Sequence, residues 1–157
     1  MRARRLARTL APVASGLLSF GIYQQTLLPS VGWGDIARFQ YVGRLWGIPH
    51  RFGYPLYVAI SHLFGQLPVG SLAYRINLMS AVFAALAATT VCLIVMLLVD
   101  DWIAGVSAAL SFAFSQVFWS QAVVAEVYTL NAFLIGAVVF VLLAWYQSRR
   151  DWLLYLG

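Results

Sequence analysis

An apolar run without any charge constrains this chain more than any other feature. The run, residues 76 to 99, reads INLMSAVFAALAATTVCLIVMLLV and ends at Asp100 and Asp101. A helix needs ~20 mostly apolar residues to cross a hydrocarbon core ~30 Å thick, and this run exceeds that length. Across the chain 62% of residues are hydrophobic and only 10% are charged, more apolar than a soluble domain of this size could bury. The sequence therefore predicts an integral membrane protein.

Three further segments have the composition of membrane spans. The predicted fold is all-α, with about four transmembrane helices, at residues 9–28, 76–99, 102–118 and 127–146. The third segment is short for a full crossing. No small-x-small cleavage site follows the first segment before QQTLLPS, so we interpret it as an uncleaved anchor and not as a secretory signal.

The distribution of arginine predicts the orientation in the membrane. All ten positive charges are arginines; four precede the first span, and Arg149 and Arg150 follow the last. Positive charge is retained on the cytoplasmic side, so both termini are predicted to be cytoplasmic, with residues 29–75 and 116–126 facing outward. Four arginines in the first outer loop count against this orientation, although a folded, ligand-bound loop can carry them. We expect the plasma (inner) membrane of a prokaryote as the location.

The first outer loop, residues 29–75, has helical patterns of its own. Four apolar residues recur at helical spacing from Asp35 onward and predict an amphipathic helix at about 35–46 that lies along the membrane surface: Ile36, Phe39, Val42 and Trp46. Glycines and prolines then interrupt the chain. A second apolar stretch, at about 56–67, is too short to cross and is predicted to be interfacial or re-entrant.

Two acids are candidate catalytic residues. Glu126 is the only charged side chain between Asp101 and Arg149. A carboxylate beside a membrane span is costly unless it faces a polar cavity or a partner. The predicted topology places Asp35 and Glu126 at the same depth, where two acids can orient and deprotonate an acceptor or hold a metal.

Structural roles compete with these assignments. Asp35 follows Gly34 at the start of a predicted helix, so it is also a candidate N-cap. Glu126 could simply pair with an arginine such as Arg75. The arginines of the loop could bind a phosphate or anchor lipid. The single cysteine, Cys92, allows no intrachain disulfide and gives no metal-ligand spacing. The sequence predicts no cofactor and no nucleic-acid partner, and it leaves a divalent metal open.

Three segments resemble a known family. They read GDIARF…LWGIPHRFGYPLY, AYRINLMSA and FWSQAVVAEVYTLNA. In this order and spacing they are similar to the amino-terminal part of a large family of polytopic membrane proteins. That family was first catalogued as a domain of unknown function and includes a transmembrane O-mannosyltransferase of animals. The similarity runs from about residue 33 to 157, and it implies a GT-C-like glycosyltransferase fold.

The resemblance implies a reaction and a set of site residues. Enzymes of the GT-C type take a sugar from a polyprenyl-phosphate donor on the outer face, and an acid in the first outer loop is the catalytic base. Asp35 matches that base, and Glu126 matches the acid of the AEVYTLN motif. Substrate-binding side chains are expected in the matched motifs and among the charges of the loop: Arg38, His50, Arg51, Tyr54, Arg75, Gln121, Tyr128 and Asn131.

This chain departs from the family pattern in two places. The family's Asp-Ser-Gly-Glu is Asp35, Ile36, Ala37 and Arg38 here, and its His-Pro-Pro-Gly is His50, Arg51, Phe52 and Gly53. The first change replaces a companion glutamate with an arginine. It leaves Asp35 to act alone or with Glu126, and Arg38 is expected to hold the donor phosphate instead.

The resulting hypothesis is a membrane glycosyltransferase that transfers a sugar such as mannose from a polyprenyl-phosphate donor. The expected partners are membrane lipid, that donor, and an acceptor that the sequence does not identify as protein or glycan. The main alternative is a transporter or a non-enzymatic subunit that binds lipid-linked sugars; the charged loop disfavours a purely structural subunit. Enzymes of this type have more helices than four, and RRDWLLYLG looks like the start of another apolar segment. We therefore expect the amino-terminal portion of a longer enzyme.

Overall fold

The described chain is entirely helical, as predicted. The computed structural model describes residues 2–51 and 53–148, and this part contains seven α-helices and no strand. The helices are α1 (Arg2–Thr26), α2 (Asp35–Leu45), α3 (Pro55–Phe64), α4 (Leu72–Val99), α5 (Trp102–Ala113), α6 (Gln116–Ala122) and α7 (Tyr128–Ser148). The further apolar segment expected after Arg150 lies outside the described residues.

Three helices are long and apolar enough to cross a membrane. They are Leu6–Thr26 within α1, all of α4, and α7. A fourth crossing results only if α5 and α6, which meet at an angle of 69°, form one broken span. The described helices therefore contain three candidate spans, or four with the bent pair. This confirms an integral membrane protein.

The helix predicted at residues 102–118 is interrupted. Helix α5 ends at Ala113 and α6 begins at Gln116, so the predicted single helix is two helices. Contacts with α1 account for the turn: the indole of Trp119 in α6 donates a hydrogen bond to Thr26 Oγ1 at 3.1 Å. The Trp119 ring also packs against Tyr23, with ring centroids 6.3 Å apart. Helix α6 thus turns toward the end of α1 instead of continuing α5.

Three other helix ends differ from the predicted ones by three residues or more. Helix α1 begins at Arg2 and so includes the arginine-rich start. Helix α4 begins at Leu72, one turn before the predicted residue 76, because Ser71 accepts a hydrogen bond from the Tyr74 N–H at 3.2 Å. Helix α3, a short apolar helix, ends at Phe64 and not near residue 67.

Helix α4 lies at the centre of the bundle and packs against α1, α5 and α7. Its buried surface is rich in alanine: Ala81, Ala84, Ala85, Ala87 and Ala88. Small side chains let helix backbones approach closely, which is how helices associate in lipid without a hydrophobic driving force between them. A buried hydrogen bond, from the Tyr23 hydroxyl to the Ala113 carbonyl at 2.7 Å, fixes α1 against α5.

The two ends of the bundle carry different loops. At one end, Arg8 pairs with the Asp100 carboxylate (Nη1–Oδ1, 3.1 Å), and the Gln147 amide donates to the Leu97 carbonyl at 2.9 Å. At the other end, the Leu28 N–H donates to the Val123 carbonyl at 3.0 Å. The chain after α1 and the α6–α7 loop therefore meet at the end far from Arg8. Both candidate acids belong to this end.

Candidate functional site

Asp35 is presented at the first position of α2. Gly34 occupies the N-cap with a φ of 62°, a left-handed conformation that glycine adopts without steric cost, and no side chain caps the helix. The alternative that the Asp35 side chain caps α2 is therefore wrong. Its carboxylate instead lies in the first turn, where the positive end of the helix dipole favours a negative charge. The side chain is half exposed and accessible to a substrate.

Arg38 and His50 both approach the Asp35 carboxylate. Arg38 Nη1 lies 3.5 Å from Asp35 Oδ1, and His50 Nε2 lies 3.4 Å from the same oxygen. Aromatic rings position the imidazole: the centroids of Phe39 and His50 are 5.9 Å apart, and Tyr54 meets His50 edge-on at 6.5 Å. The structure thus brings together three predicted site residues from α2 and from the turn before α3.

Glu126 lies in the short loop between α6 and α7, and Ser80 of α4 fixes its backbone. The Glu126 N–H donates to Ser80 Oγ at 3.3 Å, and the Ser80 hydroxyl lies 3.4 Å from the Glu126 carbonyl. Burial raises the pKa of the Glu126 carboxyl; the Val127 N–H opposes this, the Asp35 charge raises it further and His50 lowers it. Asp35, His50 and Glu126 are therefore close enough to influence one another electrostatically.

Arg75, one of the predicted substrate-binding residues, makes hydrogen bonds to the backbone. Its guanidinium donates to three backbone carbonyls of the α3–α4 connection: Gly65 at 2.8 Å, Val69 at 2.7 Å and Gly70 at 3.0 Å. No ion pair joins it to Glu126 within the described parts of the chain. The alternative that Glu126 pairs with Arg75 is therefore wrong, and Arg75 holds the loop together.

A buried amide network fixes the segment that leads to Asp35. Gln40 is fully buried; its Oε1 accepts from the Gly32 N–H at 3.0 Å, and its Nε2 donates to Asn77 Oδ1 at 2.9 Å. The Asn77 amide in turn donates to the Leu28 carbonyl at 2.7 Å. Sequence reasoning missed both amides. The available signal was a polar Asn77 inside an otherwise apolar span, where an unsatisfied amide would be costly.

Gly43 allows α2 and α3 to approach closely. A Cβ at this position would lie 2.7 Å from the His62 N and would also collide with Ser61. The Gly43 carbonyl lies 3.0 Å from His62 Nδ1, and the His62 ring stacks on Trp46 with centroids 4.6 Å apart. This contact holds α2 and α3 together and so fixes the turn that carries His50.

A cavity of about 350 Å³ lies between α3 and the start of α7. Three predicted substrate-binding residues line it: Tyr54, Tyr128 and Asn131. Tyr57, which was not predicted, also lines it, and its buried hydroxyl has no hydrogen-bond partner among the described residues. The only sequence signal for Tyr57 was its place in HRFGYPLY, one of the segments that carry the family resemblance.

The remaining predicted residues lie apart from this cavity. Arg38 lines a separate cleft of about 400 Å³ with Ile48 and Pro49. Gln121 borders a third cavity, of about 460 Å³, with Tyr128. Arg51 is exposed in the turn after His50. Within residues 2–51 and 53–148, no three His, Cys, Asp or Glu side chains are arranged to hold a metal ion.

Comparison with known proteins identifies the family. The family described as "Protein O-mannosyl-transferase TMEM260 N-terminal domain" matches residues 35–155. Protein O-mannosyl-transferase tmem260 of Dictyostelium discoideum is 30% identical over 132 residues, which are 82% of this chain and 16% of that protein. Protein O-mannosyl-transferase TMEM260 of Mus musculus is 34% identical over 119 residues, 75% of this chain and 17% of that protein.

These matches cover most of this chain but only a small part of each relative. The chain spans about a sixth of the length of the curated relatives that it matches. No solved structure matches it significantly. The family match includes Asp35, His50 and Glu126, which lie at the same end of the bundle. The chain belongs to the TMEM260 N-terminal domain family.

Proposed function

We propose that this chain supplies the acid-bearing part of a membrane glycosyltransferase that transfers a sugar, mannose by analogy, from a polyprenyl-phosphate donor. Both relatives above carry the name protein O-mannosyl-transferase. Because the chain matches only about a sixth of each of them, we propose the activity for the full natural polypeptide that contains it. The acceptor is a hydroxyl group of a protein or glycan.

One observation carries the proposal: His50 lies 3.4 Å from the Asp35 carboxylate, and Glu126, from a distant segment, lies at the same end of the bundle, near enough for both charges to influence its pKa. Asp35 is the general base. Its half-exposed carboxylate accepts the proton of the acceptor hydroxyl as the acceptor oxygen attacks the sugar's anomeric carbon. The bond from that carbon to the phosphate oxygen breaks, and polyprenyl phosphate leaves with the electron pair. A positioned base contributes typically about 10²- to 10⁴-fold in rate.

Glu126 orients the acceptor in this proposal. Burial is the largest cause that raises the pKa of Glu126, and it favours the protonated carboxyl, which can donate a hydrogen bond to the substrate. His50 lies beside Asp35 and lowers the pKa of Glu126, so it electrostatically links the two acids. The proposed division of labour is an exposed base and a more buried acid that positions the substrate.

Arg38 binds the donor phosphate in this proposal. Its ion pair with Asp35 is long, at 3.5 Å, and both side chains are more than half exposed. Exposed pairs of this kind are worth only about 0–1 kcal/mol, so a phosphate can displace the carboxylate at little cost. A guanidinium also binds phosphate through two parallel hydrogen bonds. Arrival of the donor would thus free Asp35 to act as the base.

The proposed site faces outward. Asp35 and Glu126 lie at the end opposite Arg8, and Arg8 belongs to the arginine-rich start of α1. Retention of positive charge on the cytoplasmic side supports an outward-facing site.

The test is whether the donor is cleaved or only bound. The full natural polypeptide is reconstituted in lipid nanodiscs with polyprenyl-phosphate mannose radiolabelled in the sugar, and free polyprenyl phosphate is measured over time in the presence of a membrane-protein acceptor fraction. We expect cleavage coupled to sugar transfer. Saturable binding with an intact sugar–phosphate bond would instead identify a transporter or a binding subunit.

A further inference from the structure

Tyr57 is one of the residues that line the cavity between α3 and the start of α7, and its buried hydroxyl has no partner in the described part of the chain. Tyr57 is only 2% exposed, and its hydroxyl makes no hydrogen bond to any residue that the structure describes. Burying an unsatisfied hydroxyl costs free energy, so native structures rarely keep one without reason. A ligand that supplies the missing partner is one such reason.

The ring of Tyr57 is held firmly in place. It meets Phe39 edge-on with centroids 5.1 Å apart, and it packs in the cluster that joins α2, α3 and α4. Burial and the nearby charge of Glu126 raise the pKa of Tyr57, so the hydroxyl stays protonated and remains able to donate a hydrogen bond. Tyr57 is therefore a rigid donor beside one of the two candidate acids.

The rest of the lining combines aromatic faces with polar groups. Tyr54 and Tyr128 contribute rings, Asn131 contributes an amide, and Leu56 and Leu134 contribute apolar surface. A volume of about 350 Å³ is at the small end of the range of about 300–1,000 Å³ for small-molecule sites. A pyranose ring has apolar C–H faces that pack on aromatic rings and hydroxyls at its edge that hydrogen-bond to amides and phenols. The cavity has groups suited to both.

We propose that this cavity binds the pyranose ring of the lipid-linked donor, and that the Tyr57 hydroxyl donates a hydrogen bond to a hydroxyl of that sugar. The inference rests on the proposed function and assigns the donor sugar to a place within it. The leucines of the lining support a lipid-borne sugar: Leu134 lies on α7, a candidate membrane span, and so adjoins the hydrocarbon in which a polyprenyl chain lies. The acceptor would then enter from the exposed side of Asp35.

Tyr57→Phe gives a direct test because it removes the unpartnered hydroxyl and keeps the ring. Without ligand, the variant should be as stable as the parent or more stable, since no hydrogen bond is lost. Tyr23→Phe is the matched control: Tyr23 is equally buried, but its hydroxyl donates to the Ala113 carbonyl at 2.7 Å. The control should lower the melting temperature and leave donor binding unchanged.

The measurement uses the full natural polypeptide with Asp35→Asn, so that bound donor is not consumed. The rise in melting temperature is measured with polyprenyl-phosphate mannose and, separately, with polyprenyl phosphate that lacks the sugar. The increase in melting temperature with the mannose-bearing lipid, minus the increase with the sugar-free lipid, reports the contacts of the sugar. In the Tyr57→Phe background we expect this difference to fall by more than half, and the donor KM of the active enzyme to rise at least fivefold. The increase in melting temperature caused by the sugar-free lipid should stay the same.

Two other outcomes would overturn part or all of the proposal. If Tyr57→Phe keeps the whole sugar-dependent difference and a normal KM, the assignment of Tyr57 is overturned while the proposed transferase activity stands. If the parent protein shows no sugar-dependent difference and cleaves no donor, both the sugar site and the proposed function are overturned.

Discussion

Gln40 Nε2 donates a hydrogen bond to Asn77 Oδ1 at 2.9 Å, and this buried contact joins α2 to α4 directly behind the segment that presents Asp35. The same two amides bind the backbone at Gly32 and Leu28. The position of the candidate base therefore depends on polar groups within the bundle as well as on the loop that carries it.

Gln40→Leu and Asn77→Leu should each destabilise the protein, since each leaves the other amide buried without its partner. The expected loss is about 1–3 kcal/mol in the free energy of unfolding for each change. The double variant should be less destabilised than the sum of the single variants, with a coupling energy of about 0.5–3 kcal/mol. Denaturant titration in detergent measures all three. Strictly additive losses would show that the two side chains do not act as a pair.

Arg75→Gln separates a structural role from substrate binding. The change removes hydrogen bonds to three carbonyls, so we expect a loss of about 1–3 kcal/mol in stability. After correction for the folded fraction, the donor KM should stay within about twofold of the parent value. Arg44→Gln is the control, because Arg44 is exposed and a surface change of this kind alters stability by about 0.5 kcal/mol or less. A large rise in KM with unchanged stability would instead support the prediction that Arg75 binds substrate.

Glu126→Gln should change stability in a pH-dependent way. Burial raises the pKa of Glu126 in the folded state above its ordinary value of 4.5, so the folded state binds the proton more tightly than the unfolded chain. The ionised carboxylate therefore costs stability, and this cost develops as the pH rises from about 4.5 through the raised pKa. Glutamine removes that cost. We expect Glu126→Gln to melt higher than the parent at pH 7.5 and the difference to disappear near pH 4.

The same variant should transfer sugar more slowly, since glutamine cannot exchange a proton with the acceptor. Melting curves between pH 4 and pH 8, with transfer rates at pH 7.5, check both effects. A lower melting temperature at neutral pH would mean that the carboxylate is a stabilising structural charge. In that case Glu126 would leave the proposed site.

Much of the fold follows from local sequence signals. The charge-free run alone locates α4. Apolar periodicity locates α2 and a short apolar stretch locates α3, each to within a few residues. The break between α5 and α6 does not follow, because residues 113–116 contain neither glycine nor proline. It depends on contacts of Trp119 with Thr26 and Tyr23, nearly a hundred residues earlier in the chain.

The candidate site was only partly predictable. Asp35 and Glu126 were visible because charge is rare in this chain, and the family resemblance gave them roles. The hydrogen bonds of Arg75 to carbonyls were not visible, since backbone groups have no signature in the sequence. Tyr57 could not be predicted, because nothing in the sequence distinguishes it from the other seven tyrosines. Its unpaired hydroxyl is evident only from the surrounding structure.

The most direct test of the central claim is the turnover rate of Asp35→Asn in the full natural polypeptide. The control is Asp101→Asn, at the opposite end of the bundle, where asparagine can still cap α5 through the contact to the Ile103 N–H. Sugar transfer from polyprenyl-phosphate mannose is measured for both variants at equal folded concentration. If Asp35 is the base, its variant loses about 10²- to 10⁴-fold in turnover while the melting temperature and the control stay near the parent values. A turnover of Asp35→Asn close to that of the parent would contradict the assignment.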